Sequence, residues 1–136
     1  MKIVLDSNII IAAFSTRGMC SAVFELSVEK YEVLISTQIL GEVTKNLEKK
    51  FKMPDRNIRQ IVDYLKEFCI LSEYTRIPES VSRDKDDDGI ISLAYHNAAK
   101  FIVTGDKDLL MIKKYKAVQI VTPREFWETA KKDKSL

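Results

Sequence analysis

Short β-branched runs alternate along this chain with longer stretches whose apolar residues recur every three or four positions, and that alternation is its strongest constraint on fold. Lys2–Leu5, Glu32–Ile35, Ile70–Tyr74, Phe101–Val103 and Ala117–Val121 read as strands, Ile70–Tyr74 being the most marginal. Between them, helical spacing predicts a helix over Ile9–Phe14 and, after a break at Gly18, another through Val23 and Leu26 to about Lys30. Ser36 or Thr37 caps a third that carries Ile39, Leu40, Val43 and Leu47 toward Phe51. Pro54-Asp55 restarts a fourth through Ile58, Ile61, Leu65 and Phe68. Arg76–Arg83 reads as a loop, followed by a helix from Asp87 or Asp88 to Ala98 and a short one at Leu109–Ile112. Thr122-Pro123-Arg124-Glu125 combines a capping Thr, a Pro at the first helical position and a Glu three after the cap, which starts a last helix. Strands alternating with helices predict a three-layer α/β/α domain whose sheet is mostly parallel and about five-stranded. At 136 residues, the chain is expected to form a single domain over 1–136, with a basic tail from about Lys131.

The remaining composition excludes several classes. Hydrophobic residues make up 46% and charged residues 31%, which is incompatible with wholesale disorder. Cys20 and Cys69 share no short spacing and have only His96 to help them, so neither a disulfide framework nor a soft zinc site is available. Asp6 comes too early for a signal-peptide apolar region, and no uncharged run suggests a membrane span, so the cytoplasm is the expected compartment.

In an open parallel sheet, ligands bind beyond the carboxyl ends of the strands. Asp6 follows the first strand and Asp106 the fourth, while Asp88 opens the helix before that strand and Glu42 projects from the helix after Glu32–Ile35. Two unit charges about 4 Å apart repel by about 4 kcal/mol at an effective dielectric near 20, so such a cluster must share protons or hold a cation. Oxygen donors without Cys or His favour Mg²⁺ or Mn²⁺, ions that activate water against a phosphodiester. Each acid also has a bland role: Asp6 as a helix cap, Glu42 as a solvated helix residue, Asp88 as helix-terminal charge, Asp106 as a turn residue.

Competing motifs fall short. Asp84-Lys85-Asp86-Asp87-Asp88-Gly89 opens like a calcium loop, but its twelfth position is Tyr95 rather than Glu. Asp6-Ser7-Asn8 lacks the second Asp of an Asp-x-Asp nucleophile, and one histidine cannot run two-histidine acid–base chemistry. The net charge is only +2, yet lysines and arginines gather at Lys45–Arg59 and Lys107–Lys116, which suits a phosphate backbone or an ordinary solvated surface. No aromatic-rich basic stripe announces single-strand stacking.

Four segments together resemble the PIN domain (PilT N-terminal), in the branch of toxin–antitoxin toxins. They are Val4-Leu5-Asp6-Ser7-Asn8, Ile39-Leu40 with Glu42-Val43, Arg83-Asp84 with Asp87-Asp88, and Val103-Thr104-Gly105-Asp106-Lys107-Asp108-Leu109. The resemblance implies a Mg²⁺- or Mn²⁺-dependent endoribonuclease of single-stranded RNA, with Asp6, Glu42, Asp88 and Asp106 as catalytic metal ligands. It implies that Asn8 and Thr104 support those carboxylates by hydrogen bonds and that Asp108 holds the turn. Spacing back from Asp106 selects Asp88 as the third ligand, with Asp87 as the alternative. The resemblance also implies a homodimer, for which the apolar second and fourth helices offer an interface, and an antitoxin partner. A catalytically silent RNA- or protein-binding module and a structure-specific DNA nuclease are the rival readings.

Overall fold

A computed structural model describes residues 1–78, 81 and 85–132 of the chain. Residues 79, 80 and 82–83 of the expected loop, Asp84 of the calcium-like run, Arg83 and Asp84 of the third family segment, and the tail beyond Lys132 lie outside the described residues.

The elements run β1 (Lys2–Leu5), α1 (Ser7–Ser15), α2 (Met19–Lys30), β2 (Glu32–Ile35), α3 (Thr37–Lys49), α4 (Asp55–Phe68) and β3 (Ile70–Leu71). They continue with α5 (Lys85–His96), β4 (Phe101–Val103), α6 (Lys107–Ile112), β5 (Lys114–Tyr115), β6 (Val118–Val121) and α7 (Pro123–Lys132). The strands form one six-stranded sheet in the order β3-β2-β1-β4-β6-β5, parallel except for β5. Ile3, Val4 and Leu5 are all buried, as are Phe101, Ile102 and Val103, so both faces of the central strands are covered. Leu34, Ile35, Ile39, Leu47, Ile91, Leu93 and Phe126 complete the centre of the core.

The predicted α/β/α architecture is what forms, with local differences that have physical causes. β5 is a sixth strand that sequence reasoning did not anticipate. It has two residues, and its hairpin to β6 turns at Lys116 with φ 52°, a left-handed position without the usual Gly or Asn signal. β3 stops at Leu71, although Ser72 N still donates to Ile35 O at 2.8 Å. α1 and α6 start at Ser7 and Lys107, two residues before the predicted positions, because Asp6 and Asp106 themselves cap them. α5 starts at Lys85, so Asp86, Asp87 and Asp88 all lie in its first turn, where the helix dipole favours them. It ends at His96 rather than Ala98, which takes a left-handed φ of 58°. The predicted capping box forms, with Glu125 N donating to Thr122 Oγ1 at 3.1 Å and Thr122 N to Glu125 Oε1 at 3.0 Å.

Sheet order is what positions the site. The chain leaves β1 for β2 on one side and returns to β4 on the other, so the crevice between β1 and β4 is the switch point of the sheet. Leu5 is paired with Val103, and Asp6 N donates to Val103 O at 3.0 Å. The segments carrying Asp6 and Asp106 therefore leave neighbouring strands at the same edge.

Candidate metal centre

Asp6 is only 4% exposed and is held from two sides. Ser7 N donates to its Oδ1 at 2.7 Å as the helix cap, and Thr104 Oγ1 donates to its Oδ2 at 2.7 Å. The bland and the functional roles of Asp6 thus coexist in one carboxylate. Burial pushes the Asp6 carboxyl above its ordinary value, the charge of Asp106 pushes the same way, and the Thr104 and Ser7 hydrogen bonds oppose both.

Thr104 is the joint between the two strand-end acids. Its hydroxyl also accepts from Asp106 N at 2.9 Å, which fixes the turn that presents Asp106. Asp106 Oδ1 in turn accepts from Asp108 N at 2.8 Å. Carboxylate oxygens of Asp87, Asp106 and Asp108 lie within 4.8 Å of one another, with Asp87 buried and the other two half-buried.

Glu42 reaches the same edge from α3. Its carboxyl is also raised, first by burial and then by the charges of Asp6 and Asp86, against hydrogen bonds from Gln38 and Ser7. Gln38 Nε2 lies 3.3 Å from Glu42 Oε1 and 3.2 Å from Asp86 O, and Tyr74 OH donates to Gln38 Oε1 at 3.0 Å. Ser7 Oγ sits between the acids, 3.4 Å from Glu42 Oε2 and 3.5 Å from Asp6 Oδ1. Ser7 and Gln38 were not anticipated as site residues; Gln38, one turn before Glu42 on the same helix face, was the available signal.

The two candidates for the third acid part company in α5. Asp87 faces Asp106 and Asp108. Asp88 is also buried, but its Oδ1 accepts from Val81 N at 3.0 Å, and its carbonyl accepts from Ser92 Oγ at 2.6 Å. Thr104 donates to a carboxylate oxygen of Asp6. Asn8 does not: its exposed side chain makes no hydrogen bond among the described residues and lines a groove beside the site.

This donor set suits a hard divalent cation. The clustered atoms are carboxylate oxygens, and among the described residues no basic side chain lowers the pKa of Asp6 or Glu42, whose protonation is favoured when nothing else offsets the charge. Hydrogen bonds from Ser7 and Thr104 fix the Asp6 oxygens as outer-shell donors fix metal-bound carboxylates.

Comparison with known proteins agrees with this fold. The chain is similar in fold to VapBC2 from Rickettsia felis, solved bound to a DNA fragment from their promoter, at a TM-score of 0.63 and 15% identity over 90% of this chain and 98% of that one. It is similar to FitAcB from Neisseria gonorrhoeae at a TM-score of 0.56 and 13% identity, with the same coverage of 90% and 98%. No curated protein matches the sequence. The family model for the PIN domain matches residues 2–108, which include Asp6, Glu42, Asp87, Asp106 and Asp108, and the chain belongs to the PIN domain family.

Proposed function

We propose that the protein is a Mg²⁺- or Mn²⁺-dependent endoribonuclease of single-stranded RNA and the toxin of a toxin–antitoxin pair. The observation that carries this reading is the convergence of Asp87, Asp106 and Asp108 within 4.8 Å at the edge that holds Asp6. Asp6, Asp87 and Asp106 would hold the cation, with Asp108 completing the acidic wall and Glu42 facing the attacking water. Asp87 thereby takes the place that spacing alone gave to Asp88.

When bound, the divalent ion lowers the pKa of a coordinated water and neutralises charge on the phosphate. The protein supplies position. Thr104 and Ser7 hold both Asp6 oxygens, and the α6 cap holds Asp106. Gln38 and Ser7 aim the Glu42 carboxylate, whose raised pKa suits it to take a proton from the attacking water. The water oxygen bonds to phosphorus as the bond to the 3′-oxygen breaks, and the departing 3′-oxygen takes a proton from solvent, leaving a 5′-phosphate and a 3′-hydroxyl.

The likeness to VapBC2 and FitAcB supports a protein partner that holds the nuclease in check. No single helix among the described residues is long and apolar enough to cross a membrane. The test is cleavage of a mixed single-stranded RNA pool with Mn²⁺, with EDTA, and by Asp6→Asn. The expected result is cutting with Mn²⁺ alone, lost in the variant. A 2′,3′-cyclic phosphate product, or preference for DNA over RNA, would overturn the mechanism or the substrate.

A further inference from the structure

A groove of about 240 Å³ opens between α1 and α3, lined by residues that include Asn8, Ile11, Ala12, Asn46, Lys50 and Phe51. It adjoins the metal centre at one end. Asn8 stands two positions after Asp6, and Asn46 Nδ2 donates to the backbone carbonyl of Glu42 at 2.8 Å. Ile11 and Ala12 give it an apolar wall.

The hydroxyls of Ser15 and Thr16, also in its lining, and Asn46 Nδ2 are bonded to backbone carbonyls, but other groups keep capacity for a ligand. Among the described residues, the Asn8 amide makes no hydrogen bond, Asn46 Oδ1 accepts none, and Lys50 has no carboxylate partner. Phe51 is 47% exposed and, among the described residues, stacks on no other ring. Phe68, equally exposed at 49%, differs in lying 4.5 Å from the Tyr64 ring as part of an aromatic cluster. A free ring face, two amide edges and an ammonium group within one small groove match the three surfaces of a nucleotide: a π face, a hydrogen-bonding edge and a phosphate. The volume lies below the roughly 300 Å³ at which drug-sized pockets begin, and suits one ring system better than a helix.

We infer that this groove is a nucleobase subsite for a nucleotide flanking the scissile phosphate of single-stranded RNA. The base stacks on Phe51 with its edge on Asn8 and Asn46, and the adjoining phosphate meets Lys50. The inference rests on the ribonuclease reading and adds to it a fixed seat for one base, which the metal centre itself does not provide.

The test is fluorescence anisotropy of a labelled single-stranded RNA oligomer with Ca²⁺ in place of Mn²⁺, in which an abasic nucleotide is walked along the strand. Phe51→Ala is expected to weaken binding about tenfold, within the range of base–aromatic stacking. One abasic position should weaken wild type by a similar factor and weaken Phe51→Ala no further. Lys50→Gln should lower the slope of log affinity against log salt by about 0.7, the loss of one phosphate contact. Additive losses at every abasic position, or unchanged RNA affinity in both variants, would overturn the subsite and leave the groove to a protein side chain. Melting curves of both variants confirm the fold. Mn²⁺-dependent cleavage by wild type separates the two readings: cutting without base–Phe51 coupling removes the subsite alone, whereas neither binding nor cutting removes the ribonuclease reading and the subsite with it.

Discussion

Thr104 Oγ1 donates to Asp6 Oδ2 at 2.7 Å and accepts from Asp106 N at 2.9 Å, so one hydroxyl ties together the acids that follow β1 and β4. Thr104→Val keeps the side-chain shape and removes both bonds. Hydrogen bonds to charged groups contribute about 1.5–3 kcal/mol, and losing an outer-shell donor typically lowers metal affinity or activity about 10- to 100-fold. The expected outcome is a drop of that size in Mn²⁺ affinity, measured by calorimetry, with Thr104→Ser close to wild type. Equal affinity in Thr104→Val would show that the hydroxyl only shapes the turn.

Asp87 faces Asp106 and Asp108 while Asp88 accepts from Val81 N, and the proposed reading gives the metal to the first and scaffolding to the second. Asp87→Asn should abolish detectable cleavage and weaken Mn²⁺ binding. Asp88→Asn should mainly lower the melting temperature, because its carboxylate answers Val81 N. The comparison requires both measurements on both variants, and loss of metal binding in Asp88→Asn alone would reverse the assignment.

The metal-free protein should lose stability as pH rises through the titration of its raised acids. Burial lifts Asp6 and Glu42 above their ordinary values of 3.8 and 4.5, so the folded state binds more protons than the unfolded state in the window above those values. Stability then falls with rising pH until both folded groups have ionised. A saturating divalent ion favours the ionised carboxylates and should reverse the trend. Melting temperatures from about pH 4 to about pH 7, with EDTA and with Mn²⁺, test both signs. Asp6→Asn should melt higher than wild type in EDTA at neutral pH, and a lower melting point would show that the two hydrogen bonds outweigh the burial.

The legible parts of the sequence were those where periodicity and punctuation agree. Lys2–Leu5, Glu32–Ile35 and Phe101–Val103 each carry three consecutive apolar residues closed by a polar one, and they form strands at those bounds. With them came the placement of Asp6 and Asp106 on one edge. The rotation of α5 was not legible, because neighbouring helical residues point about 100° apart and the choice between Asp87 and Asp88 depends on which turn packs against β1 and β4. For Asp108 the resemblance implies only that it holds the turn; the structure puts it in the first turn of α6, with a carboxylate oxygen near those of Asp87 and Asp106. Asn8 lies beyond the reach of spacing arguments altogether, since only the approach of α3 to α1 gives its amide a groove to face.

Gly89 links packing to the orientation of Glu42. A methyl group there would stand 2.5 Å from Gln38 Oε1 and 3.1 Å from Tyr74 OH, the pair that holds the Glu42 carboxylate from behind. Gln38 is a flexible side chain and can move aside, and alanine within a helix gains up to about 1 kcal/mol over glycine. Gly89→Ala should therefore leave the melting temperature near wild type while displacing Gln38 and lowering kcat about tenfold or more, with Mn²⁺ affinity little changed. Gln38→Leu, which cannot donate to Glu42, should reproduce the kcat loss without crowding, and combining the two should cost no more than either alone. Full activity in Gly89→Ala would show that Glu42 needs no support from Gln38, whereas unfolding would show that the close approach of α3 to α5 is structural first.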